Sequence, residues 1–152
     1  CQIMDTAGNV RSERLEDMIT GVRSTSLQRN EILYSVWIPK NIATKLRSGF
    51  EKIGTRNSME ISIVSLAYHF QLNDDGKVLQ AGVSCGAVAP VIPFARAACD
   101  YLLGKNISTL SEFERTEFAN KVMEYASPIS DIRASDWYRK EVLFNLSKSI
   151  FE

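Results

Sequence analysis

The stretch Phe50-Glu51-Lys52-Ile53-Gly54-Thr55-Arg56, continued by Met59-Glu60-Ile61-Ser62-Ile63-Val64-Ser65-Leu66-Ala67-Tyr68-His69-Phe70-Gln71-Leu72, decides how this chain is read. Apolar or aromatic side chains stand at 64, 66, 68, 70 and 72. That is a period of two, the mark of a strand with one buried face. A polar break at Asn73-Asp74-Asp75-Gly76 precedes Lys77-Val78-Leu79-Gln80-Ala81-Gly82-Val83. Asp75-Gly76 supplies the positive φ that a tight hairpin turn requires. Two long antiparallel strands follow from this, each roughly 30 Å in length. A lone hairpin is marginal in water, so the rest of the chain must cover its apolar face.

The 152 residues suit one domain, or one domain with an attached piece. A chain of this size buries roughly 70% of its unfolded surface on folding. Eighteen basic residues balance eighteen acidic ones, so charge argues for neither nucleic acid nor an acidic membrane surface. No apolar run reaches the ~18 residues of a spanning helix. The chain starts at Cys1-Gln2 without a charged leader, and its cysteines (Cys1, Cys85, Cys99) are odd in number and match no metal spacing. A reduced, cytoplasmic context is expected. The missing initiator methionine leads us to expect a piece of a longer chain.

Working outward, the N-terminal third reads as short strands and turns. Residues 1–4 start a strand, Asp5 to Asn9 turn, and 10–19 suit a second strand with a turn at Thr20-Gly21. Residues 22–30 are polar and without period, hence loop. Glu31 to Ile38 reads as a strand stopped by Pro39, and Lys40 to Ser48 as a short turn or loop. Beyond the hairpin the period changes. Pro93 suits the start of a helix over 94–103, with Gly104 as its stop. A second helix begins near Thr109 or Ser111, each followed three residues later by Glu, with an apolar stripe of Leu110, Phe113, Phe118, Val122 and Tyr125. A third carries Tyr138, Val142, Leu146 and Ile150 at spacings of four, with Phe144 and Phe151 alongside. Strands first and helices last predict an α+β fold, a small antiparallel sheet with about three helices packed on one face.

Chemistry is sparse. No glycine-rich phosphate loop is present, one histidine (His69) cannot build a metal cluster, and no serine or cysteine has an identifiable base partner. Cys85 and Cys99 lie in apolar surroundings and read as buried, inert thiols. Asp131 and Arg133 read as a helix-start cap and ion pair. Lys52 stands between Phe50 and Ile53 in a strand. It is either a solvated cation on the outer face or a fixed positive charge beside an electron-rich ring or anion, which acts most strongly where water is excluded.

Several stretches together resemble the flavin-binding (medium) subunit of the molybdenum hydroxylases, the xanthine dehydrogenase and carbon monoxide dehydrogenase flavoprotein family. They are Gly21-Val22-Arg23-Ser24-Thr25-Ser26-Leu27 with Glu31-Ile32-Leu33 and Ile38-Pro39; Phe50-Glu51-Lys52-Ile53-Gly54-Thr55-Arg56-Asn57 with Glu60-Ile61-Ser62; Gly86-Ala87-Val88-Ala89-Pro90; and Pro128-Ile129-Ser130-Asp131-Ile132-Arg133-Ala134-Ser135 with Tyr138-Arg139. No single stretch is diagnostic; their order and spacing are. The wording at 56–62 leans toward the bacterial xanthine dehydrogenase-like branch.

The resemblance implies that residues 1–40 are the end of an FAD-binding domain and 41–152 the C-terminal domain of that subunit. It implies FAD as cofactor. Partner subunits would carry molybdopterin and the iron-sulfur clusters, and NAD or another acceptor would take the electrons. It also implies that Thr25, Leu27 and Leu33 line the cofactor and that Lys52 lies near its ring, where the protein supplies orientation and charge while the flavin does the redox chemistry. The family's glycine-rich diphosphate loop is missing from this chain, and Cys85-Gly86 replaces a common Gly-Gly pair. The alternative is a non-catalytic α+β domain that docks partner subunits without binding flavin.

Overall fold

A computed structural model describes residues 1–39, 45–56 and 60–152. The chain divides into two compact units, Cys1–Ile42 and Ala43–Glu152.

In the first unit, β1 (Gln2–Asp5) pairs antiparallel with β2 (Val10–Ser12). Asp5 closes the turn between them: its Oδ1 accepts the amides of Ala7 and Asn9, both at 2.9 Å. Gly8, at φ +85°, supplies the left-handed step. A one-turn helix α1 (Leu15–Met18) leads into a small ribbon of β3 (Ile19–Gly21) and β4 (Ser24–Thr25), turned at Arg23 with φ +55°. β5 (Glu31–Ser35) then returns to the free side of β1, giving the order β2-β1-β5.

The second unit is a three-stranded antiparallel sheet, β6 (Lys45–Ile53), β7 (Val64–Leu72) and β8 (Val78–Gly86), in that order. The hairpin turn is as the sequence predicts. Asn73 N donates to Lys77 O, Asn73 Oδ1 accepts from Lys77 N, and Gly76 takes φ +77°. The register sorts the sheet into two faces. Val64, Leu66, Tyr68 and Phe70 lie opposite Ile53, Glu51, Gly49 and Arg47 on one face; Ser65, Ala67, His69 and Gln71 lie opposite Lys52, Phe50, Ser48 and Leu46 on the other. Strand side chains alternate, so each set shares a side.

Three helices cover the first face: α2 (Arg96–Leu102), α3 (Glu112–Met123) and α4 (Asp136–Ser149). α3 starts in a capping box. Glu114 N donates to Ser111 Oγ, and Glu114 Oε2 accepts from Ser111 N at 3.0 Å. Lys105 also donates to the Glu114 carboxylate at 2.8 Å. The core joins Val64, Leu66 and Phe70 to Leu102, Phe118, Val122, Leu143 and Phe151. Phe70 stacks on Phe151, which meets Phe118 edge-on at 5.0 Å. Each such side chain contributes about 1.5–3 kcal/mol by leaving water. Far from the strand ends near residue 64, the hairpin tip is latched to the bend after α2: Asn106 Nδ2 donates to Asp75 O, Val78 N to Lys105 O, and Gly104 N to Val78 O.

The α+β class and the three helices on one face are as predicted. Several boundaries differ. Residues 45–48, read as turn or loop, belong to the nine-residue edge strand β6; 40–44 lie outside the described residues. Residues 15–18 form a helical turn, and Ser24–Thr25, read as loop, form a strand. The helix predicted from residue 94 starts at Arg96, because Phe94 is still bridged to Ser84 on the sheet. Phe113 is exposed. On α4 the buried line is Arg139, Leu143 and Ser147, one residue beyond the predicted stripe. Arg139 is buried because its Nη1 and Nη2 find partners there, and Ser147 because its hydroxyl donates to Leu143 O.

Candidate functional site

Lys52 lies on the exposed edge strand β6, opposite Ser65, and on the face away from the helices. Its neighbour two residues back on that face, Phe50, is exposed as well. The ammonium donates to the Glu60 carbonyl at 2.5 Å. Glu60 in turn gathers the end of the strand: its carboxylate accepts the Thr55 hydroxyl and, at 2.5 Å, the Arg56 amide. The Thr55 hydroxyl first, with help from the Arg56 amide, holds the Glu60 carboxyl below its ordinary range. Gly54 leaves room for this arrangement: a side-chain carbon at that position would displace the Glu60 carboxylate. Lys52 is therefore a placed cation, held among the described residues by a carbonyl rather than by a carboxylate.

Next to this bend lies the loop before α4. Asp131 Oδ1 accepts the amides of Arg133 (2.9 Å) and Ala134 (3.1 Å) and the Nη2 of Arg139 (2.9 Å), while Oδ2 accepts Arg133 Nη1 at 3.0 Å. These donors, led by the Arg133 amide, hold the Asp131 carboxyl well below the usual carboxylate range. Arg139 is only 4% exposed. Its Nη1 donates to Ile63 O and to Ala87 O, the latter at 3.0 Å, where Ala87 sits at φ +64°. One guanidinium thus fastens the start of β7, the turn after β8 and the 131–134 loop. A cavity of about 450 Å³ opens beside it, lined by Thr55, Arg56, Glu60, Ile61, Ile132 and Arg133.

The other candidate residues lie in the first unit. Thr25 ends β4, opposite Ile19, and is exposed. Leu27 is half-buried, and Leu33 stands in β5 opposite the buried Ile3. A polar knot brings these segments together. Arg11 donates to Glu31 at 2.8 Å, to Glu13 at 3.0 Å and to the Ser26 carbonyl at 3.3 Å. The Ser26 hydroxyl donates to Glu13, and Gln28 N to Glu31 at 2.8 Å. The segment after Thr25 is thereby tied to the strand that carries Leu33. Arg11 beside Glu31 lowers that carboxyl, and the Ser26 hydroxyl lowers Glu13.

Sequence reasoning missed Arg11, Glu13 and Glu31 as a group, and Arg139 as an anchor. The only trace of the first is the run of charges at 10–19; the second hides in an amphipathic pattern as a polar residue. His69 shares the face of Lys52 and is half-buried. Burial pushes the Cys85 thiol up to about 12 and Cys99 to about 11, so both are inert as nucleophiles near neutrality. Among the described residues no group of His, Cys, Asp or Glu is placed to hold a metal, and no helix is long and apolar enough to cross a membrane.

Comparison with known proteins gives the same picture. The chain is 32% identical over 108 residues to xanthine dehydrogenase 1 of Arabidopsis thaliana, covering 69% of this chain and 8% of that protein. It spans only a small part of the curated relatives it matches. Among solved structures, quinoline 2-oxidoreductase from Pseudomonas putida 86 superposes with a TM-score of 0.83 at 27% identity, over 99% of this chain and 50% of that one. Carbon monoxide dehydrogenase from Hydrogenophaga pseudoflava, in a form lacking the Mo-pyranopterin moiety, gives a TM-score of 0.85 at 21% identity, over 97% of this chain and 49% of that one, a likeness of fold alone. Residues 50–152 match the family described as the CO dehydrogenase flavoprotein C-terminal domain. That span takes in the end of the edge strand with Lys52, the Glu60 bend and the whole helical layer, and the chain therefore belongs to this family, the C-terminal region of the FAD subunit of molybdenum hydroxylases.

Proposed function

We propose that this chain is part of the FAD subunit of a molybdenum-containing hydroxylase of the xanthine dehydrogenase type. Residues 1–40 are the end of its FAD-binding domain and residues 41–152 its C-terminal domain. In the complete enzyme, electrons from iron-sulfur clusters on a partner subunit pass through FAD to NAD or another acceptor, and a further partner carries the molybdopterin. The setting is cytoplasmic.

The observation that carries this reading is Lys52: a cation on the helix-free face of a sheet, fixed on the Glu60 carbonyl, inside the span that matches the family. That geometry fits a flavin ring. A held ammonium group stabilises negative charge on a neighbouring ring without reorganising. Thr25, Leu27 and Leu33 are the residues of the first unit that would contact the cofactor, with the Arg11 knot keeping their segments in place. FAD, when bound, supplies the redox chemistry; this chain supplies position and charge. Ile32, Tyr34, Val36, Trp37 and Ile38 leave a run of exposed apolar surface along and just after β5, which supports the packing of further FAD-binding polypeptide there. No glycine-rich loop cradles a diphosphate here, so residues 1–152 alone bind FAD weakly and are inactive.

The test is Lys52→Met in the complete subunit. Flavin affinity and midpoint potential are measured against the parent, with the thermal midpoint as control. The expected result is a more negative potential, since the reduced ring loses its counter-charge, at unchanged stability. An unaltered potential and affinity would refute the role of Lys52.

A further inference from the structure

The bend between β6 and β7 is fixed at two levels. At its neck Ile63 N donates to Ile53 O at 2.8 Å, and Ile63 is buried with its own carbonyl taken by Arg139. Beyond the neck, among the described residues, the tie is Glu60, which holds with its side chain and its backbone at once. The carboxylate reaches back to the Thr55 hydroxyl and the Arg56 amide, and the Arg56 guanidinium acts on the same carboxylate through its charge. The Glu60 carbonyl accepts the Lys52 ammonium. The side chain thus decides where the carbonyl stands, and the carbonyl decides where the ammonium stands. Lysine needs such a hold. Lys52 is exposed, so packing does not confine its flexible four-carbon stem. An ammonium that swings among rotamers must be ordered before it can stabilise charge on a neighbour, whereas one already held needs no such step.

We propose that Glu60 is a positioning residue for the flavin site: through its own carbonyl it sets where the Lys52 ammonium stands, and thereby the potential of the neighbouring ring. The inference rests on the reading of Lys52 as the charge beside the flavin. Its sign separates it from a direct electrostatic role. Acting across space, the Glu60 carboxylate would disfavour negative charge on the reduced ring, so its removal would raise the potential. Acting through Lys52, its removal sets the counter-charge loose and lowers the potential.

The test is a double-mutant cycle in the complete subunit, read as the flavin midpoint potential with the thermal midpoint as control. Glu60→Ala should lower the potential in the same direction as Lys52→Met, and by less. In the Lys52→Met background the same substitution should leave the potential where it is. Glu60→Gln should stay close to the parent, because its amide group can still accept the Arg56 amide and donate to the Thr55 hydroxyl. Thr55→Val removes one of the two donors and keeps the shape of the side chain. It should move the potential the same way as Glu60→Ala, and it decides the matter should Glu60→Ala lose its fold. A potential that rises in Glu60→Ala overturns the proposal. So does a potential unchanged in both Glu60→Ala and Thr55→Val while Lys52→Met lowers it, and so does an equal fall with and without Lys52. Each of these outcomes leaves the flavin reading standing. Lys52→Met without effect overturns the reading of Lys52 itself, and this inference with it.

Discussion

The two units of this chain are held together by different means. In Ala43–Glu152 a continuous core of aliphatic and aromatic side chains joins sheet to helices, with Phe70, Phe118 and Phe151 at its centre. In Cys1–Ile42 the buried hydrophobic side chains among the described residues are Ile3 and Met18, and order comes instead from charge: Arg11 between Glu13 and Glu31, Asp5 on its own turn. Apolar burial is cooperative and insensitive to salt, whereas exposed ion pairs are individually weak and screened. The first unit should therefore be the softer of the two, although three of the four proposed flavin contacts lie in it.

The largest effect that would break this contrast is Phe118→Ala. It opens a cavity in the core and should cost about 4 kcal/mol. Amide exchange along β7 and β8, slow in the parent, should accelerate toward the rate of β1 and β5. Unchanged exchange would mean that the core is not what holds the second unit. Arg139→Ala comes next, at about 3 kcal/mol, because Asp131 and the carbonyls of Ile63 and Ala87 lose their donor. Its signature is local, with exchange at the 131–134 loop rising more than at the hairpin tip. The smallest effect concerns Glu114, whose carboxyl Lys105 and Ser111 pull from its ordinary 4.5 down to about 2. A lowered carboxyl stabilises the fold above its ordinary pKa, and the contribution is lost as pH falls through the folded value. Denaturation midpoints of Glu114→Gln should thus be lower than the parent's above about pH 4.5. They should converge on it as pH falls toward 2.

What was legible in the sequence follows the same division. The hairpin was readable because period two and Asp75-Gly76 are local signals, and the Ser111-Glu114 box because capping is local as well. β6 was half missed: among Lys45, Leu46, Arg47 and Ser48 only Leu46 is apolar, too little alternation to mark a strand, as suits an exposed edge. In the first unit β1, the turn after it and the start of β5 were readable, but the tie between the segments was not, because it depends on Arg11 meeting residues up to twenty positions away, and no periodicity encodes that. Lys52 was visible only through resemblance; its own neighbours describe a solvated strand cation equally well. Arg139 was invisible as an anchor because an arginine on an amphipathic helix reads as solvent-facing, and its partners at Ile63 and Ala87 are 76 and 52 residues away.

The latch at the hairpin tip has one further consequence. Gly76 and Gly104, both in left-handed backbone, meet through Asn106 and the carbonyl of Val78. The bend after α2 is thus cast against one particular turn length. Inserting a residue between Asp74 and Gly76 would do more than lengthen an exposed loop: it would unfasten the helical layer at the end of the sheet remote from Arg139, leaving it hinged at one end only.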